Sequence, residues 1–308
     1  MRQELPTTVL GRTGLTVTRL GYGAMEIRGS RIWGGRAVTD AQAETILNAV
    51  LDAGVTFLDT ANDYGRSEEF IGKYLAHRRT EYHLATKCGC HVVRRDAATD
   101  DTPHVWTKEN LFRGLHESLQ RMKTDYVDVM QLHNPTVQQC EQYDVVATLQ
   151  EMQRQGKVRW VGISTSLPHL PTYLRWGGVD VFQIPYSALE RTHEAWITAT
   201  AQAGVGTVIR GGVARGEPGI GLGGAGRWRA FDAAKLDALC AEGESRTEFL
   251  LRFTLTHPHT QTIIVGTLDP EHLAENLQAI KRGPLSPEVY AEAQRRLDAV
   301  GERPAAVA

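Results

Sequence analysis

Residues Asp125 to Ser164 read DYVDVMQLHNPTVQQCEQYDVVATLQEMQRQGKVRWVGIS, and the order of patterns within them decides the fold. Val127 to His133 is a short β-branched and apolar run of the kind that forms a buried strand. Gln142 to Gln155 is predicted as a helix, and Val158 to Ser164 is a second apolar strand. Strand, helix and strand in that order make a βαβ unit, whose two strands lie parallel with the helix covering one face.

Outward from this unit the same alternation recurs. Strands are predicted at Arg19 to Gly23, Thr56 to Asp59, His83 to Lys87, Val181 to Ile184, Thr207 to Ile209 and Thr262 to Val265, which with the first pair makes eight. Thr39 and Gln42 form a capping box ahead of Ala43, Ile46, Leu47 and Val50 on one helical face, and Gly54 ends that helix. Thr107 caps a segment in which Leu111, Leu115, Leu119 and Met122 recur at helical spacing. Further helices are predicted over Thr192 to Ala203 and Glu271 to Ile280. A hairpin, Thr8 to Leu10 turning through Gly11 to Gly14 into Leu15 to Val17, precedes the first strand. An extra helix over Ser286 to Val300 follows the last, and Glu302 to Ala308 is expected to fray. With no linker or composition break, the chain is predicted to be one (β/α)8 TIM-barrel domain over residues 1–308, with an N-terminal β-hairpin and an extra C-terminal helix.

Composition narrows the function. Of 308 residues, 42% are hydrophobic and 23% charged, the mix of a chain that folds around a core. A net charge of −2 supplies no basic field for nucleic acid or an anionic membrane, so neither is an expected partner. With no signal segment and no apolar run of bilayer length, a cytoplasmic location is expected. The four cysteines, Cys88, Cys90, Cys140 and Cys240, are read as reduced thiols. No metal is expected, because a structural zinc site needs four ligands and His91 is the only donor close to Cys88 and Cys90 in sequence.

A barrel of this type carries its active site at the carboxyl ends of its strands. The second predicted strand ends in Asp59, the third in Lys87 and the fourth in His133, and Tyr64 lies in the loop just beyond Asp59. Singly, each is the sort of residue that ends as a loop hydrogen-bonder or packing group. Together at one mouth they form a carbonyl-reducing set. Hydride transfer to a carbonyl leaves charge on its oxygen, which a positioned donor stabilises and protonates. Tyr64 is read as that acid, Lys87 as the cation that lowers the phenol pKa, Asp59 as the anchor of Lys87, and His133 as the group that orients the substrate oxygen.

In this context Leu10 to Leu15, Gly54 to Glu68 (GVTFLDTANDYGRSE), Ala85 to Lys87, Asp125 to Pro135, Gly156 to Ser164, Gln183 to Tyr186 and Val265 to Asn276 resemble, in order, the motifs of the aldo-keto reductase superfamily. The resemblance implies a barrel closed at its base by the hairpin and a catalytic tetrad at Asp59, Tyr64, Lys87 and His133. It also implies NADP(H) bound without a Rossmann domain, with NAD(H) as the alternative. Ser164 and Gln183 match positions that hold the nicotinamide amide, Thr165 stands where the family usually has Asn, and Tyr186 matches the aromatic that stacks on the ring. Gly266, Thr267, Glu275 and Asn276 match the adenosine end, with His272 replacing a frequent Gln and Leu268 standing where many relatives carry a basic residue. Asp269 and Pro270 open a helix whose free N–H groups suit a phosphate. Arg210 and Arg215, beyond the seventh strand, are further candidate phosphate partners.

Gly219 to Gly224 satisfies G-x-G-x-x-G, but it begins ten residues past the strand end at Ile209 and lacks the following acidic strand, so it is read as part of a glycine-rich loop from Gly211 to Arg229. That loop is a candidate strap over the cofactor. A small-molecule carbonyl or sugar substrate is expected against Met25, Ile27, Trp33, Trp106, Asn134 and Trp228. Two other readings use the same residues: a cofactor-sensing regulatory subunit with little turnover, and a barrel enzyme in which Lys87 forms a Schiff base.

Overall fold

A computed structural model describes residues 4–307. Strands β1 (Thr7–Val9) and β2 (Thr16–Thr18) form an antiparallel hairpin. Then come β3 (Leu20–Gly23), β4 (Phe57–Asp59) and β5 (His83–Cys88). A short antiparallel pair, β6 (Val93–Arg94) and β7 (Asp100–Asp101), sits in the next loop. The series ends with β8 (Val127–His133), β9 (Val158–Ser164), β10 (Val181–Pro185), β11 (Gly206–Arg210) and β12 (Thr262–Val265). Among the described residues, β3, β4, β5 and β8 to β12 are parallel and close a barrel, the ring being completed where β12 pairs with β3, Ile263 opposite Leu20 and Val265 opposite Tyr22.

The surrounding helices are α1 (Asp40–Asp52), α2 (Ser67–Tyr74), α3 (Lys108–Met122), α4 (Val137–Tyr143), α5 (Val145–Arg154), α6 (Leu170–Trp176), α7 (Glu194–Gln202), α8 (Ala225–Ala233), α9 (Arg246–Thr256), α10 (Pro270–Arg282) and α11 (Pro287–Ala299). No helix among the described residues is long and apolar enough to cross a membrane.

Alternate residues of each barrel strand face opposite sides. Phe57, Ala85, Val129, Val181 and Val208 point inward and pack with Leu10 and Val17 of the hairpin region into a small core inside the barrel. Leu58, Leu84, Met130, Leu132 and Ile184, one position out of phase, join Ile46, Leu47, Leu111, Leu115 and Leu149 of the helices in the larger outer core. The hairpin thus plugs the base of the barrel, held by Gly11 N–H on Gln261 Oε1 at 3.1 Å and Arg12 N–H on the Gly204 carbonyl at 2.7 Å. Gly11 has φ +51°, and a Cβ there would stand 2.2 Å from the Gly206 nitrogen, so the plug seats only because the residue has no side chain.

Four expectations change. The helix expected over Gln142 to Gln155 is two helices broken at Asp144, which is left-handed at φ 47°, because Thr136 and Gln139 form a capping box that starts α4 early. The loop from Gly211 to Arg229 ends in helix, since α8 begins at Ala225. Helices α2, α6 and α9 were unread, although Ser245 and Glu248 form a capping box that announces α9. Residues 302–307 have no regular structure, yet they are docked: Ala305 N–H donates to the Thr192 carbonyl at 3.0 Å and Arg191 to the Glu302 carbonyl at 3.1 Å. Ala308, the end of the segment expected to fray, lies outside the described residues.

Asp128, at the base of β8, is buried and accepts from Leu84 N–H at 2.9 Å, Arg79 at 2.7 Å and Arg159 at 3.0 Å. Burial opposes its ionisation, but His83, the Leu84 N–H and Arg79 outweigh burial and hold the carboxyl at about 2, below the ordinary 3.8. Its contribution to stability is therefore complete above the unfolded value and lost as pH falls through the folded one. Asp128→Asn is expected to cost about 2 kcal/mol at neutral pH. In urea unfolding series from pH 7 to 2, the gap from wild type should close between about pH 4 and 2; a gap constant with pH would refute this assignment.

Candidate active site

The same two-residue period that builds the inner core builds the site one layer above it. Asp59 stands above Phe57, Lys87 above Ala85, Gln131 and His133 above Val129, Gln183 above Val181, and Arg210 above Val208. All therefore reach the carboxyl-terminal mouth of the barrel.

Asp59 is the hub. Its Oδ2 accepts from Lys87 Nζ at 2.5 Å, and its Oδ1 accepts from the side-chain amides of Gln131 and Gln183, each at 2.8 Å. Lys87 also donates to the Thr60 carbonyl at 2.8 Å, and its ammonium lies 4.9 Å from the centre of the Tyr64 ring. The ring of Tyr64 meets His133 edge to face at 5.9 Å and Trp33 at 5.8 Å. His133 Nδ1 sits 3.0 Å from Cys90 Sγ and 3.4 Å from Asp63 Oδ1.

Burial disfavours the charge on Lys87, but Asp59 and Tyr64 reverse that penalty and raise its pKa above the ordinary value. For Tyr64 the balance differs from the sequence expectation. Burial pushes the phenol up, Lys87 draws it down only in part, and Asp59 and Asp63 add to the rise, so the net shift is upward. The cause is that Lys87 shares its charge with Asp59, while the phenol is desolvated alone. Tyr64 is thus a protonated phenol at neutral pH. Lys87 is 1% exposed and held charged by its partners, a poor state for a Schiff-base nucleophile, which must be neutral and reachable.

A cleft of about 570 Å³ runs from Asp59, Tyr64 and His133 past Asn134, Ser164 and Gln183 to Arg210, Arg215, Gly266, Thr267, His272, Glu275 and Asn276. Most residues expected to hold a cofactor are thereby brought together along one groove. Asp269 caps α10 as expected, its side chain accepting from Glu271 N–H at 2.9 Å. Met25 and Trp33 line the same cleft near Tyr64, and Ile220, Gly221 and Leu222 of the glycine-rich loop border it. Arg227, at the end of that loop, pairs with Glu190 after β10 and ties the two edges.

Five expected contacts fall elsewhere. Tyr186 is one residue past Pro185, which faces the cleft, so its side chain takes the opposite face; it is fully buried and hydrogen-bonds Glu194 and Tyr290. Thr165 is displaced by the same one-residue parity from Ser164, and its hydroxyl reaches only the Ser166 carbonyl, at 3.4 Å. Ile27 closes a short 3-10 turn and belongs to the outer core. Trp106 is buried against Gly89 and stacks on His104, and Trp228 is buried on Phe231, where it anchors the loop from beneath.

Three features went unread. Gln131 could have been found, since it is a polar residue two positions before His133 in an apolar strand and so shares its face. Glu26 and Arg36 at the cleft edge carry no such signal. The donors near Cys90 are not His91 but His104 and His133, which the loop after β5 and the end of β8 bring within 4.8 Å.

A closed parallel barrel with acid, cation and imidazole at its carboxyl-terminal mouth defines a barrel oxidoreductase. The model of the aldo/keto reductase family matches residues 19–298, and the chain belongs to that family. It is 30% identical over 308 residues to the uncharacterized oxidoreductase YrpG of Bacillus subtilis (strain 168), covering 89% of this chain and 90% of that protein. The NADH-specific methylglyoxal reductase of Escherichia coli (strain K12) is 31% identical over 199 residues, 60% of each chain. Among solved structures, the holo form of aldo-keto reductase AKR11C1 from Bacillus halodurans is similar with TM-score 0.82 and 27% identity, over 95% of this chain and 96% of that one. Membership places this chain among oxidoreductases that act on carbonyl groups with a nicotinamide cofactor.

Proposed function

We propose that the protein reduces an aldehyde or ketone to an alcohol, reversibly, with NADP(H), and that Tyr64 is the general acid. The observation that carries this reading is the buried, protonated Tyr64 phenol at the cleft, beside the Lys87–Asp59 pair and the His133 ring. The groove fits a dinucleotide on its own chemistry. Half-buried Arg210 lines it with a guanidinium whose buried Nε has no hydrogen-bond partner, a state that an anionic phosphate would satisfy.

The residues of this groove would hold a nicotinamide, whose chemistry when bound would be hydride donation to the substrate carbon. Ser164 and Gln183 line the cleft and are the residues we assign to its amide, one amide N–H of Gln183 being fixed by Asp59. Tyr64 gives its phenolic proton to the substrate oxygen as charge develops, and Lys87, kept charged by Asp59, stabilises the phenolate left behind. His133 orients that oxygen, while Met25, Trp33 and Asn134 form the wall against which a small carbonyl or sugar would rest. The strap residues Ile220 and Leu222 are positioned to exclude water over the cofactor.

The preference for NADP(H) is supported by Arg210 and Arg215 in the cleft and by Arg36, which borders both the cleft and the adjoining groove that contains Leu268. A cation thus stands near the position where Leu268 offers none. Fluorescence titration is expected to give tighter binding of NADPH than of NADH, and Arg210→Ala should weaken NADPH roughly 10- to 100-fold, as loss of a charge-assisted hydrogen bond does. Tighter binding of NADH would overturn the NADP(H) assignment and leave the carbonyl chemistry to be run on the other cofactor.

A further inference from the structure

We propose that Cys90, His104 and His133 form a three-residue binding site for a divalent cation of the zinc class beside the cleft, with water as the fourth ligand. The Cys and both His residues bring donor atoms within 4.8 Å of one another. Cys90 Sγ is 3.0 Å from His133 Nδ1, and Asp63 Oδ1 is 3.4 Å from the same nitrogen. Asp63, 1% exposed, stands beside this cluster with the His133 ring as its neighbour, so the cluster carries a buried negative charge next to its donors.

A thiolate and two imidazoles, with water in the fourth position, are a donor set suited to tetrahedral zinc. The backbone holds these donors in place before any ion arrives. Cys90 and His104 face each other across an antiparallel bridge, flanked by Val105 N–H on the Gly89 carbonyl at 2.7 Å and His91 N–H on the Pro103 carbonyl at 2.8 Å. Trp106 stacks on the His104 ring at 5.3 Å. Gly89 has φ +105°, and a Cβ there would meet Trp106 at 2.2 Å, so the bare glycine permits this packing. His104 is exposed, which opens a path for the ion, whereas Cys90 and His133 are buried.

In the metal-free protein the thiol and Nδ1 stand at hydrogen-bond separation. Zinc at about 2.3 Å from sulfur and 2.0 Å from nitrogen requires roughly 3.5 Å between them, so the pair opens by about half an ångström and the thiol proton leaves to solvent. With Nδ1 bound to the ion, the imidazole proton stands on Nε2. The site would therefore fix the tautomer of a residue read above as catalytic. Any effect on turnover rests on that reading, but the binding itself does not.

The test needs no substrate. The reduced, full-length protein, stripped of metal, is titrated with Co2+ and then challenged with Zn2+. The expected result is saturation at one ion per chain, a thiolate-to-cobalt charge-transfer band, and its loss on adding Zn2+. Cys90→Ser should remove the band, and His104→Ala, at an exposed position where folding is not at risk, should weaken binding roughly tenfold or more. No saturable binding to the wild type, or binding unchanged in either variant, would overturn the proposal and leave Cys90 as a hydrogen-bond partner of His133 alone.

Discussion

Tyr64→Phe is expected to lower the turnover number for carbonyl reduction by about 10²- to 10⁴-fold, the range for removal of a positioned general acid. Cofactor affinity should change little, because the proposed role of the hydroxyl is toward the substrate oxygen and not toward a cofactor phosphate. The direction of the Tyr64 shift adds a second readout. The phenol must be protonated to act in reduction, and burial, against the partial pull of Lys87, holds its pKa above the ordinary 10. Reductive turnover at saturating substrate should therefore persist through neutral pH and fall only as pH rises through that elevated value. Activity kept within tenfold in Tyr64→Phe would mean that the proton comes from another donor, and His133 would be next to test.

The second large effect is on stability. In Asp59→Ala, Lys87 remains 1% exposed without its carboxylate, and the amides of Gln131 and Gln183 lose their shared acceptor. Removing one partner of a buried pair costs about 3–5 kcal/mol. Replacing both partners with apolar residues of similar volume, as in Asp59→Leu with Lys87→Met, should recover much of that loss without restoring turnover, since no isolated charge is left buried. Urea unfolding of the wild type and these two variants checks this. Asp59→Ala unfolding within about 1 kcal/mol of wild type would show that Lys87 escapes to solvent or loses its proton.

The strands were the most legible part of the chain. Val127 to His133 and Val158 to Ser164 match their observed bounds because both faces of such strands are buried and their apolar runs are continuous. That Asp59, Lys87 and His133 meet at one mouth followed from position, since in a βα barrel the ends of the strands mark the mouth. Parity was harder. Tyr186 and Thr165 lie one step from true lining residues, and a continuous apolar run does not reveal which alternate positions face inward. Trp106 and Trp228 illustrate a related ambiguity, for an aromatic on a loop packs beneath it as readily as it faces a substrate. The sign of the Tyr64 shift also lay beyond sequence, which names a neighbouring cation but not how far desolvation outweighs it. His104 near Cys90 depends on how a long loop folds back, and no spacing rule carries that information.

Isotopic labelling tests the proposed hydride transfer. Purified protein is incubated with NADPH deuterated at the transferable C4 position and a panel of small aldehydes and ketones, including methylglyoxal, and the alcohol is analysed by mass spectrometry and NMR. Deuterium is expected on the new carbinol carbon, one per cofactor oxidised, and is expected to be nearly absent with Tyr64→Phe under the same conditions. Cofactor that binds but is never oxidised by any carbonyl, or product carrying hydrogen from solvent at that carbon, would contradict it.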